Sequence, residues 1–137
     1  MKLPSAVTLC EVGLRDGLQN EKTILSTDEK VELLRGLIDA GYRVIEVGSF
    51  MHPKAVPQMA DTDEVYKRIG DVPGVELRAL IPNLRGVTRA IDCGCKKVKL
   101  NVSASRTMLD VIDLQRRWSA DAVDQYRRAA RLAREKK

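Results

Sequence analysis

Four short runs of β-branched and aliphatic residues, each closed by a glycine, a proline or a polar cluster, alternate along this chain with stretches whose apolar positions recur at helical spacing. The first run covers residues 7–12 and ends at Gly13. A helix is predicted from Ser26, where Ser26-Thr27-Asp28-Glu29 has the form of a capping box. Val31, Leu34, Leu37 and Ile38 then share one stripe, and Ala40-Gly41 supplies a stop. Residues 44–47 form the second run, in which one carboxylate, Glu46, interrupts Val44, Ile45 and Val47, so burial on both faces is predicted. Asp61-Thr62-Asp63-Glu64 repeats the capping pattern ahead of Val65, Tyr66 and Ile69. A third run over residues 75–81 is broken by Pro82-Asn83 and followed by a short helix over 84–92. The fourth run, residues 97–102, leads into Ser103-Ala104-Ser105, and the helical pattern resumes from Ser119 to Arg134 with Val123, Tyr126 and Ala130 on one face.

Strand followed by helix, four times over, predicts an α/β protein with a parallel sheet. The units fall at residues 5–41, 42–70, 73–94 and 96–135, with no linker between them, so residues 1–137 read as one domain. A repeat of roughly 25 to 35 residues suits both a TIM barrel and a doubly wound sheet. Periodicity does not choose between them. Four units are half of the eight strands that close a barrel of about 250 residues, and a half barrel leaves its outer strands as open edges.

Composition narrows the class. Hydrophobic residues at 44% and charged residues at 31%, without low-complexity tracts, describe a folded globular chain. No apolar run approaches a membrane span, and the opening Met1-Lys2-Leu3-Pro4-Ser5 has neither a signal-peptide core nor an Arg-rich presequence, so a cytoplasmic protein is expected. Cys10, Cys93 and Cys95 are an odd number of thiols and are expected reduced, with Cys93-Gly94-Cys95 as small residues in a helix-to-strand loop. The net charge of +5 suits phosphorylated or acidic ligands. Its concentration after Arg116, interleaved with alanines, reads as a solvated helical face rather than a nucleic-acid stripe.

In parallel α/β sheets ligand sites form where strands run into loops, and here the first such loop is the richest. Gly13-Leu14-Arg15-Asp16-Gly17-Leu18-Gln19-Asn20-Glu21 gathers a cation, carboxylates, two amides and two glycines into nine residues. Asp16 offers oxygen to a hard divalent ion, and Arg15 offers a permanently charged planar donor. The same two residues could equally form a loop salt bridge, and Glu46 could equally be a buried carboxylate paired with Arg15.

The stretch from Cys10 through Gly13-Leu14-Arg15-Asp16-Gly17-Leu18-Gln19-Asn20-Glu21 resembles the first-strand signature of 3-hydroxy-3-methylglutaryl-CoA lyases. Ile45-Glu46-Val47-Gly48-Ser49-Phe50, then His52-Pro53-Lys54 and Val56-Pro57-Gln58-Met59-Ala60-Asp61, resembles the family's second strand and loop. Leu80-Ile81-Pro82-Asn83-Leu84-Arg85-Gly86 resembles the end of its third strand. Order and spacing hold over residues 5–105. The text from Arg106 to Trp118 departs from the family, and Leu14 stands where a proline is common in relatives.

That resemblance implies the N-terminal half of a metal-dependent TIM-barrel lyase, cytoplasmic here, of the kind used in leucine degradation. It implies retro-Claisen cleavage of an acyl-CoA thioester to acetyl-CoA and acetoacetate, with Arg15 and Glu46 catalytic and Asp16 ligating Mg²⁺ or Mn²⁺. Arg15, Gln19, Ser49 and Asn83 would line the substrate pocket, whereas His52, beside Pro53, reads as a surface residue. The family completes its metal site with a histidine pair and an asparagine from later strands and uses a late-loop cysteine, none of which this chain carries. The ion is therefore expected to be weakly held, and the chain inactive until a homo-oligomer or a complementary half barrel completes it. A non-catalytic half-barrel interaction module and a truncated product are the alternatives; neither a nucleic-acid partner nor a membrane is expected.

Overall fold

Side-chain caps open the first and third helices, and glycine turns the chain out of the first two. The computed structural model describes residues 3–101 together with Arg127, Arg128 and Arg131, which are helical; the rest of the helix predicted over 119–134, and residues 106–118, lie outside the described residues. Helix α1 (Thr27–Asp39) opens on the predicted capping box. The Glu29 amide donates to Ser26 Oγ at 3.3 Å, and the Ser26 amide donates to Glu29 Oε2 at 2.7 Å. Gly41, at φ +99°, turns the chain out of it. Helix α2 (Thr62–Ile69) ends at Gly70, which also has positive φ. Its N-cap residue, Asp61, behaves differently from the predicted cap. Asp61 makes no cap hydrogen bond; its carboxylate accepts instead from the Thr27 hydroxyl at 2.8 Å and from the buried Lys30 ammonium. Pairing a buried ammonium is worth more than one cap bond, so the long-range contact prevails over the local motif. Helix α3 (Leu84–Asp92) begins at Asn83, whose side-chain oxygen accepts from the Gly86 amide at 3.1 Å.

Three parallel strands, β1 (Val44–Ser49), β2 (Glu76–Ile81) and β3 (Lys97–Leu100), lie side by side in that order. One face carries Ile45, Ala79 and Ile81 into a core completed by Val31 and Leu34 of α1, Val65 and Tyr66 of α2, and Val87 and Ala90 of α3. Each fully buried aliphatic side chain of this kind contributes roughly 1.5–3 kcal/mol. The pairing of β1 with β2 shifts between Glu46 and Gly48, so that Glu46 is opposite Arg78 while Gly48 and Ser49 are opposite Ala79 and Leu80. Val47 is thus the extra residue of a bulge.

The first predicted strand is corrected. Residues 7–12 form no ladder; only Glu11 bridges to β1, donating its amide to the Val44 carbonyl at 2.9 Å and accepting from the Glu46 amide at 2.8 Å. Val7 and Leu9 are 75% and 67% exposed. Among the described residues no strand flanks this segment on its outer side and no apolar layer covers it, so nothing rewards a longer ladder.

Both thiols of the Cys93-Gly94-Cys95 loop are buried. Cys93 Sγ donates to the Ala90 carbonyl at 3.3 Å and Cys95 Sγ to the Lys97 carbonyl at 3.1 Å. Burial pushes the Cys93 thiol up to about 11 and raises that of Cys95, whereas Cys10 is exposed. The thiolate is the nucleophile. A maleimide at neutral pH is therefore expected to label Cys10 alone in the folded chain and all three thiols in denaturant. Intact-mass measurement would read this directly, and rapid native labelling of Cys93 would contradict the buried placement.

Candidate functional site

Beyond Glu11, which is level with Ile45 of β1, the chain enters a π-helical turn, Gly13–Gly17, in which the Arg15, Asp16 and Gly17 amides all converge on the Val12 carbonyl. Such turns are rare and gather at functional positions. Leu14 is buried in the core and anchors the turn. The next residue, Arg15, is then directed under the loop onto β1.

There the guanidinium meets Glu46. Arg15 Nε and Nη2 both donate to the same carboxylate oxygen, Oε2, at 2.9 and 2.7 Å. The other oxygen, Oε1, accepts from Lys99 Nζ of β3 at 2.7 Å. Arg15 Nη1 turns away and donates to Asp16 Oδ1 at 2.6 Å. Four charges alternate in a chain, Asp16, Arg15, Glu46, Lys99, and they sum to zero. The Glu46 and Arg15 side chains are only 2% and 10% exposed, while that of Asp16 is 56% exposed. Burial alone would raise the Glu46 pKa. The hydrogen bonds and charges of Lys99 and Arg15 together outweigh it, and the carboxyl is held below its ordinary value of 4.5.

The residues singled out in the sequence fall as follows. Arg15, Asp16 and Glu46 come together, and Arg15 pairs with both carboxylates, as the salt-bridge reading of this loop expected. Ser49 is wholly buried at the end of β1, where its Oγ accepts from the Met51 amide at 3.4 Å. Gln19, just past the turn, carries a buried side-chain oxygen with no hydrogen-bond partner. Asn83 sits at the end of β2 with its oxygen committed to capping α3. His52 is exposed and accepts from the Lys54 amide at 3.2 Å, a loop residue outside this cluster. Lys99 was absent from the sequence-derived set. Its only sequence signal is a basic residue at the third position of a β-type run, which reads as an exposed strand position until the sheet register is known.

Asp16 faces solvent with one carboxylate oxygen shared by Arg15, and its backbone carbonyl accepts from Asn20 Nδ2 at 2.7 Å. Among the described residues no three His, Cys, Asp or Glu side chains converge to hold a metal ion. These residues alone offer a hard cation one carboxylate and do not make a metal centre. Among them, too, no helix is long and apolar enough to cross a membrane.

A parallel sheet with helices packed on one face, and an ion-paired carboxylate on the other beneath the loop at the strand ends, is the arrangement of consecutive βα units in a TIM barrel. The HMGL-like family model matches residues 6–136, and the chain belongs to that family. It is 52% identical over 103 residues to the mitochondrial hydroxymethylglutaryl-CoA lyase of Macaca fascicularis, covering 75% of this chain and 32% of that protein. It is 50% identical over 105 residues to the 3-hydroxy-3-isohexenylglutaryl-CoA/hydroxy-methylglutaryl-CoA lyase of Pseudomonas aeruginosa, covering 77% of this chain and 35% of that one. The crystal structure of hydroxymethylglutaryl-CoA lyase from Pseudomonas aeruginosa superimposes with a TM-score of 0.87 at 41% identity, over 98% of this chain and 44% of that structure. The chain thus spans about a third of the curated relatives it matches, corresponding to their N-terminal part.

Proposed function

We propose that this chain supplies the opening βα units of a carbon–carbon lyase that cleaves a 3-hydroxy-3-methylglutaryl-CoA-type thioester to acetyl-CoA and acetoacetate, and that it acts only when other βα units complete the barrel. The observation that carries this reading is the buried Arg15–Glu46 pair beneath the first loop, on the sheet face opposite the helices, with Asp16 opening from it to solvent. The relatives' names supply the substrate class.

Cleavage deprotonates a tertiary hydroxyl, breaks the adjacent carbon–carbon bond, and leaves the electron pair on the acetyl-CoA fragment as an enolate. A divalent ion, when bound, supplies positive charge beside the hydroxyl; Asp16 would be one ligand, with the remainder from outside the described residues. Arg15 has five N–H donors and commits three to Glu46 and Asp16. Two remain for the developing thioester enolate oxygen, where a fixed cation is worth most because charge appears there only in the transition state. Glu46 keeps that cation in place. Gln19, Ser49 and Asn83 would border the acyl group, and the unpartnered Gln19 oxygen is a group that a bound hydroxyl or amide would satisfy.

The test mixes this chain with a polypeptide carrying the rest of the Pseudomonas aeruginosa relative and measures acetoacetate release with and without Mn²⁺. Metal-dependent cleavage is expected from the complex and none from the chain alone. Arg15→Ala in the complex is expected to lower kcat by about 10²–10³-fold, the loss typical of removing one preorganised charge-stabilising donor. A complex that forms on a sizing column yet releases no acetoacetate would overturn the proposal in favour of a non-catalytic half barrel.

A further inference from the structure

A lone arginine–carboxylate pair commonly adopts a fork in which two parallel N–H groups meet two oxygens. Here both donors of the Arg15 edge converge on Oε2, because Lys99 Nζ occupies Oε1. Lys99 reaches this position from the far strand of the sheet. Leu80, its register partner on β2, is opposite Ser49 on β1, so Lys99 crosses the whole of β2 to contact Glu46. Its side chain is 38% exposed, while that of Glu46 is 2% exposed.

We infer that Lys99 is a positioning residue: by claiming one oxygen of Glu46 it displaces the Arg15 guanidinium toward the other and thereby sets where the two free N–H groups of Arg15 point. This deepens the lyase reading and rests on it for its chemical meaning. Without Lys99, Oε1 is a buried acceptor with no donor. The guanidinium then relaxes toward the symmetric fork and moves relative to Asp16. A displacement of about an ångström in a reacting group can cost on the order of 100-fold in rate.

The experiment compares wild type with Lys99→Met and Lys99→Arg. In the chain itself, side-chain ¹H–¹⁵N spectra report the Arg15 Nε–H. Lys99→Met is expected to shift its resonance and speed its solvent exchange at least tenfold, while the backbone amides of Ile45 and Ala79 keep their protection; Lys99→Arg is expected to restore the wild-type signal. An unchanged Nε–H in Lys99→Met, or a parallel loss of protection at Ile45 and Ala79, would overturn the inference, the second by showing a merely structural role. In the completed barrel, Lys99→Met is expected to lower kcat by 10- to 100-fold with KM within about twofold, and a matching loss in KM alone would overturn it. If the wild-type complex cleaves nothing, the lyase reading fails while the spectra still decide the role of Lys99.

Discussion

Glu46→Ala is expected to lower the unfolding free energy by about 3–5 kcal/mol, the cost of removing one partner from a buried ion pair. The reason is geometric. Glu46 receives three hydrogen bonds from two cations, and its loss leaves Arg15, whose side chain is 10% exposed, with only the exposed carboxylate of Asp16. Urea titration would measure the loss, and a change below about 1 kcal/mol would show that Arg15 escapes to solvent at little cost. The same group sets a pH dependence. Its pKa is lower folded than unfolded, so the stability it contributes is complete above its ordinary value of 4.5 and is lost as pH falls from there through the folded value. Glu46→Gln is expected to remove that part of the acid sensitivity while leaving the part due to other carboxylates, Glu29 of the capping box among them.

Gly48→Ala is expected to destabilise by about 1–3 kcal/mol, with Gly48→Val at or above the top of that range. A Cβ on Gly48 would stand 2.6 Å from Thr62 Oγ1 and 2.9 Å from its Cγ2. Thr62 cannot simply rotate away, because it is buried and its hydroxyl donates to the Met59 carbonyl at 2.9 Å at the start of α2. The close approach lets α2 lie directly against β1. In a Thr62→Ala background the same glycine substitution is expected to cost less than half as much, since the two atoms under 3 Å, Oγ1 and Cγ2, are gone and only the Cβ at 3.3 Å remains. Equal costs in both backgrounds would mean that the penalty lies in the bulge backbone rather than in this contact.

Both substitutions probe the bulge at Val47, and the bulge marks where sequence reading stops. Helix limits were legible because their determinants are local: Ser26 and Glu29 are three residues apart, and Gly41 sits directly after the helix it ends. The Arg15, Asp16 and Glu46 cluster was legible through family motifs, since strand-end loops carry the chemistry of this architecture. Strict alternation along β1 would put Ser49 on the opposite face from Glu46; the extra residue restores Ser49 to the row of Leu80 and Lys99. Nothing within a few residues of Lys99 states that it will cross β2 to reach a carboxylate 53 positions earlier. Asp61 failed for the same reason, its partner Lys30 being 31 residues away. Contacts made across the sheet or between helices depend on a register that no local window contains.

The bridge at Glu11 bears on how firmly the candidate site is held. Glu46 and Lys99 stand on strands that share a ladder partner, β2, which is hydrogen-bonded on both sides. Arg15 arrives by another route, on a turn that, among the described residues, is tethered to the sheet through two backbone bonds at Glu11 and wedged by Leu14. Local opening of a protein begins where such tethers are fewest. The guanidinium therefore rides on the softest support in its own cluster, and a neighbour zipping along residues 5–10 would sharpen its aim without touching a single charged group.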